Sequence, residues 1–182
     1  MNFGILTIVV SLVFIIAGII FFNIIKNSEK KNKVFSVFYV LSTILLGIST
    51  CYLAYLLTSD NFSFLYVVNN SSKSLPFIYK LTSIWAGHQG AFLLLLLFIQ
   101  LTGFTVLFSK RENKTKIVLF IAIIQSLLLI SLLIDNPFVS LTGRIPADGN
   151  GLNPILKNPW MIFHPPILYV GYAFAVIPFA SV

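Results

Sequence analysis

Five long apolar stretches without a charged residue constrain this chain more than any other feature. They cover residues 4–25, 34–58, 83–108, 117–134 and 162–182. A helix needs about 20 apolar residues to cross the hydrocarbon core of a bilayer. Only 9% of the 182 residues are charged, against roughly 25% in a soluble domain. The sequence therefore predicts an all-α fold, a polytopic transmembrane helical bundle of about five spans in one membrane region, 1–182.

Basic residues are concentrated in the two shortest connectors, 26–33 and 109–116, which hold eight of the twelve Lys and Arg residues. The positive-inside rule puts such loops on the cytoplasmic or matrix side of a membrane. The longer connectors 59–82 and 135–161 are then outer loops, on the opposite side together with the N-terminus. The net charge of +7 thus comes from loop lysines and arginines that orient the protein in membrane lipid. No nucleic-acid partner is expected.

One histidine, His164, precedes Pro165 and Pro166 at the start of the last span. Because proline is tolerated in the first turn of a helix, we expect His164 at the helix mouth, facing water on the outer side. A neutral imidazole is a good ligand for haem iron or another transition metal. Tyr169 and Tyr172 follow one turn apart and would line a planar ligand. The alternatives are a solvated interfacial histidine and ordinary interface tyrosines.

An aromatic and small-residue pattern opens the third span. Trp85, His88 and Phe92 recur at helical spacing, which predicts that they share a face near the outer surface. Gly87 and Gly90 would allow close approach of another backbone or of a flat ligand. The pattern favours either a wall beside a cofactor pocket or an aromatic belt with ordinary helix packing.

Large polar groups are rare inside the spans. Gln100 and Gln125 lie deep in them, and we expect each to form an interhelical hydrogen bond. Proton and ion pathways usually need ionisable residues within the bilayer, so this part of the chain does not indicate one. A lone cysteine, Cys51, excludes an intrachain disulfide and a cysteine-rich metal site.

Several stretches of the chain resemble the cytochrome c maturation protein F (CcmF) family, and they occur in the family's order and at its spacing. They are Asp-Asn-Phe-Ser-Phe-Leu-Tyr-Val-Val-Asn-Asn-Ser-Ser at 60–72, Leu-Pro-Phe-Ile-Tyr-Lys at 75–80, Trp-Ala-Gly-His-Gln-Gly at 85–90, Asp-Gly-Asn-Gly-Leu-Asn-Pro-Ile-Leu at 148–156 and Asn-Pro-Trp-Met-Ile-Phe-His-Pro-Pro-Ile-Leu-Tyr-Val-Gly-Tyr at 158–172.

The resemblance implies a part in c-type cytochrome biogenesis. Members of the family act as a haem lyase, which takes haem from the chaperone CcmE on the outer membrane face. They attach its vinyl groups to the two thiols of a Cys-x-x-Cys-His segment of apocytochrome c, presented by CcmH and in some lineages CcmI. The delivered substrate is b-type haem, and the full-length protein also holds a structural b haem.

The resemblance also implies roles for single residues. The family histidine of the Phe-His-Pro-Pro segment, an axial ligand to the delivered haem iron, matches His164, which is the one metal ligand expected here. Trp85, His88, Tyr169 and Tyr172 are the expected lining residues, and no catalytic residue is assigned.

The chain departs from the family pattern in three ways. Gln89 stands where the family usually has Glu, and Ala91 where it usually has Ser. The Trp-rich haem segment and the other haem-binding histidines of the family are missing. We therefore expect the N-terminal part of a longer protein, either a fragment or one subunit of a split gene, that is not active alone.

The location and two other functions stay open at this point. The bacterial inner membrane is the expected location, with the mitochondrial inner membrane as the alternative. The other functions are a transporter or respiratory-complex subunit without haem, and a structural subunit that docks the enzyme.

Overall fold

The computed structural model describes residues 2–181. Over this range the chain forms seven α-helices and no strand: α1 (Phe3–Ile24), α2 (Ser28–Thr58), α3 (Leu65–Asn70), α4 (Phe77–Thr82), α5 (His88–Leu107), α6 (Lys114–Ile134) and α7 (Trp160–Ala180). One-turn 3-10 helices lie at Ser83–Trp85 and Pro154–Leu156. Five helices, α1, α2, α5, α6 and α7, are long and apolar enough to cross a membrane. The predicted all-α polytopic bundle of about five spans is confirmed.

The start of α2 differs most from the predicted spans, because this helix begins at Ser28 and not at residue 34. The side chain of Asn27 caps it by accepting a hydrogen bond from the backbone N–H of Lys30 at 2.9 Å, and Glu29 lies in its first turn. Asparagine is a preferred N-cap, and an acidic first turn complements the helix dipole. Most of the basic connector 26–33 is therefore helical.

Small polar groups join the helices inside the bundle. Ser11 Oγ and Ser42 Oγ lie 2.7 Å apart between α1 and α2, and Gln100 Nε2 of α5 donates to Ser42 Oγ at 2.8 Å. Gln125 Nε2 of α6 donates to the Leu96 carbonyl oxygen of α5 at 2.9 Å. The interhelical hydrogen bonds expected of both glutamines are confirmed, and they tie three buried helix faces together.

Helix α7 is the least buried of the five long helices. It packs against α5 and α6, but Ala173 is its one buried residue among those described. Over the most apolar 18-residue stretch of α7, 6% of the residues are buried, against 28–56% in the corresponding stretches of the other four long helices. Most of the α7 surface, including its first two turns, is therefore open to surrounding molecules.

The two long connectors pack together at one end of the bundle, and we call residues 59–87 and 135–159 the loop layer. The backbone N–H of Leu65 donates to the Val139 carbonyl oxygen at 3.0 Å, and three further backbone hydrogen bonds join the two connectors. Paired backbone groups of this kind make the loops an ordered surface. The start of α7 emerges from this layer, so the layer positions the residues around His164.

Candidate functional site at the loop end of the bundle

His164 lies in the second turn of α7, with an exposed side chain. The helix begins at Trp160, earlier than the predicted start near 162, because the Asn158 side chain accepts a hydrogen bond from the Trp160 backbone N–H at 3.0 Å. Pro165 and Pro166 consequently lie inside the helix. The prediction that they occupy its first turn is wrong. His164 thus sits at the loop end of α7, two residues further into the helix than the predicted start implies.

Trp85 is hydrogen-bonded to the first turn of α7, which directly precedes His164. Its indole Nε1–H donates to the Met161 carbonyl oxygen at 2.9 Å. In an α-helix that carbonyl would accept from the backbone nitrogen four residues later, which here belongs to Pro165 and has no hydrogen. The indole therefore satisfies a carbonyl that proline leaves free. Trp85 lies in the 3-10 turn Ser83–Trp85, outside α5. The prediction that it shares a helix face with His88 is therefore wrong.

The surroundings of His164 on α7 are apolar and exposed. Trp160, four residues before it, is 75% exposed, and Ile167 and Leu168, three and four residues after it, are 66% and 40% exposed. Residues at these spacings share one face of a helix. Further along the same face, a side chain at Gly171 would meet no atom within 4 Å. An imidazole is therefore flanked on both sides by open apolar surface, a suitable setting for a flat apolar ligand.

Two glycines before and in α5 make room for Tyr66 and not for a ligand. A Cβ atom at Gly90 would lie 2.7 Å from Tyr66 Cζ, and one at Gly87 would lie 2.8 Å from the same ring. The Tyr66 hydroxyl lies 2.9 Å from the Ser83 carbonyl oxygen and 2.8 Å from that of Ile84. Burial raises the pKa of Tyr66, so the hydroxyl stays protonated and can donate to these carbonyls. This contact fixes the turn that carries the Trp85 indole.

His88, the first residue of α5, forms a polar cluster with the end of α6. His88 Nε2 contacts a carboxylate oxygen of Asp135, and Gln89 Nε2 donates to the other oxygen at 3.0 Å. The hydrogen bond from His88, followed by that from Gln89, lowers the pKa of Asp135. A glutamate at residue 89 would set a second carboxylate against Asp135, whereas the glutamine of this chain donates to it.

The polar cluster lies at the mouth of a cleft of about 420 Å³ between α5, α6 and α7. The lining residues are His88, Gln89, Ala91, Phe92, Leu95, Ser131, Asp135 and Tyr169. Two of the four expected lining residues, His88 and Tyr169, thus share this cleft. His164 and Tyr172, which is 59% exposed, lie outside it on the open surface of α7.

Two aspartates of the site escaped the sequence analysis. Asp135 follows the fourth span directly, and Asp148 opens a motif of connector 135–161. Asp148 accepts hydrogen bonds from the Lys73 backbone N–H at 2.9 Å and from Ser72 Oγ at 3.2 Å. The one available signal is that both aspartates lie in connector 135–161, on the same side of the membrane that the sequence predicts for Trp85 and His88. Gln89 lies 46 residues from Asp135, and Lys73 lies 75 residues from Asp148.

Metal-binding capacity is limited within residues 2–181. No group of three or more His, Cys, Asp or Glu side chains that could hold a metal ion lies within this range. His164 therefore offers one nitrogen ligand, which suits an axial position on haem iron and does not suit a protein-built metal cage.

Comparison with known proteins assigns the chain to a family. The family model described as "Cytochrome C assembly protein" matches residues 85–182, which include Trp85, His88 and His164. The chain is 37% identical over 140 residues to the cytochrome c-type biogenesis protein CcmF of Haemophilus influenzae, covering 74% of this chain and 22% of that protein. It is 36% identical over 126 residues to CcmF of Escherichia coli, covering 66% and 20%.

The fold also matches a solved structure. The chain superimposes on "Cytochrome c Heme Lyase CcmF" with a TM-score of 0.77 and 19% sequence identity, over 97% of this chain and 28% of that one. It spans about a fifth of the length of the curated relatives that it matches. Since the family model covers more than half of the chain, this multi-pass membrane protein belongs to the cytochrome c assembly protein family.

Proposed function

We propose that this chain is the N-terminal membrane region of a haem lyase, which attaches haem covalently to Cys-x-x-Cys-His segments of apocytochrome c. Its relatives are named for cytochrome c-type biogenesis, which supports the proposal. Because the chain spans about a fifth of their length, the remaining parts of the assembly complete the site. We infer that it works in the bacterial inner membrane, since these relatives are bacterial.

The observation that carries the proposal is the exposed His164 within an apolar strip on α7. Its side chain is open, and Trp160 and Ile167 flank it on the same helix face. A neutral imidazole has a ring nitrogen lone pair that can bind haem iron. Apolar neighbours would cover part of the porphyrin face and exclude water from it. The residues present therefore fit a haem held through one axial bond.

We assign His164 to the periplasmic side of the membrane. The basic connectors 26–33 and 109–116 lie at the opposite end of the long helices from the loop layer, and the positive-inside rule assigns such segments to the cytoplasm. The haem chaperone CcmE and a CcmH or CcmI subunit with apocytochrome c would then dock on the loop layer and on α7. The thiols come from the apocytochrome, and His164 holds and orients the haem while they react.

Replacing His164 with Ala in the intact assembly tests the proposal. We expect the variant to lose the Soret absorption of haem held on the assembly and to form holocytochrome c at less than a tenth of the normal level. Lys110→Ala, at an exposed residue of the opposite end of the bundle, is the control and should leave the Soret band in place. Normal haem retention by His164→Ala would remove the ligand assignment, and retention with no holocytochrome would assign His164 to a later step.

A structural docking subunit is the second candidate, and the open surface of α7 favours it. Under this alternative the first turns of α7 hold a partner subunit and no haem. The absorption spectrum of the purified wild-type assembly separates the two, since haem bound through His164 gives a Soret band that His164→Ala removes. A partner lost from His164→Ala, with an unchanged Soret band, would favour the docking subunit.

A further inference from the structure

A basic cleft lies at the end of the bundle opposite the loop layer. It has a volume of about 390 Å³ and lies between the end of α1, the start of α2 and the start of α6. Since water occupies about 30 Å³ per molecule in the liquid, the cleft is large enough for a small polar group and its hydration. Four of its lining residues are basic: Lys31, Arg111, Lys114 and Lys116.

Among residues 2–181, no carboxylate lies within ion-pair distance of these four basic groups. Within residues 2–181 the two ion pairs are Lys80 with Asp60 and His88 with Asp135, which lie at the other end of the bundle. The two connectors that form the cleft, 26–33 and 109–116, hold eight basic residues against two acidic ones. Charges of like sign repel one another when they converge, so a bound anion would stabilise this arrangement.

The start of α6 adds neutral donors to the cleft. The side chain of Asn113, the N-cap residue, makes no capping hydrogen bond. The first backbone N–H groups of a helix have no intrahelical acceptor, and the helix dipole makes this end partly positive. Lys114 and Thr115, the first two residues of α6, line the cleft and contribute such groups. Positive charge and free N–H donors together are the features that bind phosphate at helix starts.

The walls of the cleft indicate a lipid and not a free ion. Phe22, near the end of α1, lines it, and the Lys31 ammonium lies 4.7 Å from the centroid of the Phe22 ring. Beside it Phe21 and Ile24 are 42% and 67% exposed on a helix that spans the membrane. Acyl chains can cover these side chains while the headgroup enters the cleft. Basic pockets between helices at the cytoplasmic surface suit anionic headgroups.

We propose that this cleft binds the phosphate group of an anionic phospholipid headgroup. Lys31 and Lys114 are the half-buried basic residues of the cleft and contact the phosphate, and Arg111 closes the cleft from the exposed side. The bound lipid joins the starts of α2 and α6 and stabilises the bundle at the end where its loops are shortest.

Lipid titration of the intact protein in mild detergent, followed by native mass spectrometry, tests this site. We compare phosphatidylglycerol with phosphatidylcholine of the same acyl chains, on the wild type and on Lys31→Gln/Lys114→Gln. The matched control, Lys30→Gln/Lys110→Gln, removes the same charge from the same two connectors at residues outside the cleft. We expect phosphatidylglycerol affinity to fall at least tenfold in the cleft variant and less than twofold in the control, and phosphatidylcholine to bind weakly throughout.

Three results would overturn the proposal. Equal losses in the cleft variant and the control would indicate general attraction to the basic end. Equal affinity for phosphatidylcholine would remove the role of headgroup charge. Displacement of the lipid by inorganic phosphate at micromolar concentration would make the site one for the free ion. Arg111→Gln serves where the double variant fails to fold, because Arg111 is exposed, and we expect it to lower phosphatidylglycerol affinity at least threefold.

Discussion

The indole N–H of Trp85 donates to the carbonyl oxygen of Met161 at 2.9 Å, the carbonyl that Pro165 leaves without a helical partner. Met161 lies three residues before His164 in the first turn of α7. The bond therefore anchors the start of a helix whose remaining surface is mostly open. A proline within a helix normally weakens it, and here the freed carbonyl instead docks α7 onto the turn before α5.

We predict that Trp85→Phe loosens the start of α7. Phenylalanine keeps most of the ring but lacks the donor, so the Met161 carbonyl loses its partner at a cost of about 1–2 kcal/mol. Backbone hydrogen exchange of His164, Ile167 and Leu168 should become about tenfold faster, and holocytochrome formation by the intact assembly should fall.

Trp160→Phe is the control for this prediction. It makes the same chemical change within α7 itself, at a side chain that is 75% exposed. Hydrogen exchange at the start of the helix should stay within twofold of the wild type. An equal effect of the two variants would mean that the Trp85 hydrogen bond does not hold α7.

We predict that Gln89→Glu raises the pKa of Asp135. His88 and then Gln89 hold that pKa low by hydrogen bonding, and a glutamate would replace one donor with a repelling carboxylate. Gln89→Met removes the donor without adding charge and should raise the pKa less than Gln89→Glu. The carboxyl signal of Asp135, followed by carbon-13 NMR during an acid titration, measures both shifts. An unchanged titration in both variants would contradict the assigned contact.

Much of the fold follows from one-dimensional pattern. Uninterrupted apolar runs predict the five long helices. The bilayer core has no water to bind backbone N–H and C=O groups, so each run must pair these groups within its own helix. Gln100 and Gln125, as isolated amides in such runs, could be expected to bond across helices, and they do. The start of α2 could also have been predicted, since Asn27 and Glu29 form a recognisable N-terminal cap.

The arrangement of the site was less accessible to sequence analysis. Trp85 and Met161 are separated by 76 residues and His88 and Asp135 by 47, so only packing brings them together. The spacing of Trp85, His88 and Phe92 predicts one helix face. However, Gly87 is the N-cap of α5, so the Trp85 indole lies before the helix that carries the other two side chains. A cap residue such as Gly87 can be recognised from sequence. The packing of Tyr66 into the space beside Gly87 and Gly90 cannot.

We predict that the contact of Asp148 with Ser72 and Lys73 weakens in acid. Hydrogen bonds from the backbone N–H of Lys73, and then of Gly149, lower the pKa of Asp148. A lowered folded-state pKa contributes stability that is present above the ordinary aspartate value of about 3.9 and is lost as pH falls through the folded-state pKa. Protection of the Lys73 amide from hydrogen exchange, corrected for intrinsic rates, should stay constant from pH 7 to 5 and fall below about pH 4.

Two variants separate the charge of Asp148 from its shape. Asp148→Asn retains an oxygen that can accept from the backbone, so it should keep most of the protection and lose its dependence on pH. Asp148→Ala should lose the protection at every pH. If Asp148→Asn shows the same acid dependence as the wild type, another group is titrating.

The ion pair between Asp60 and Lys80 makes the last prediction. Lys80 Nζ lies 2.7 and 2.5 Å from the two carboxylate oxygens of Asp60, with side chains only 10% and 21% exposed. Removing one partner of a buried pair leaves the other charge unpaired in a poorly solvated place. We expect Lys80→Met to lower the free energy of unfolding by about 3 kcal/mol, measured by thermal unfolding in detergent.

The double variant Asp60→Asn/Lys80→Met should recover most of this loss, because it leaves no unpaired charge behind. Lys157→Met removes an exposed lysine from the loop layer and should change the unfolding free energy by less than about 0.5 kcal/mol. A loss for Lys80→Met as small as that for Lys157→Met would show that water reaches the pair. A double variant no more stable than Lys80→Met would instead show that the lysine stem, and not the charge, fills the space between α2 and α4.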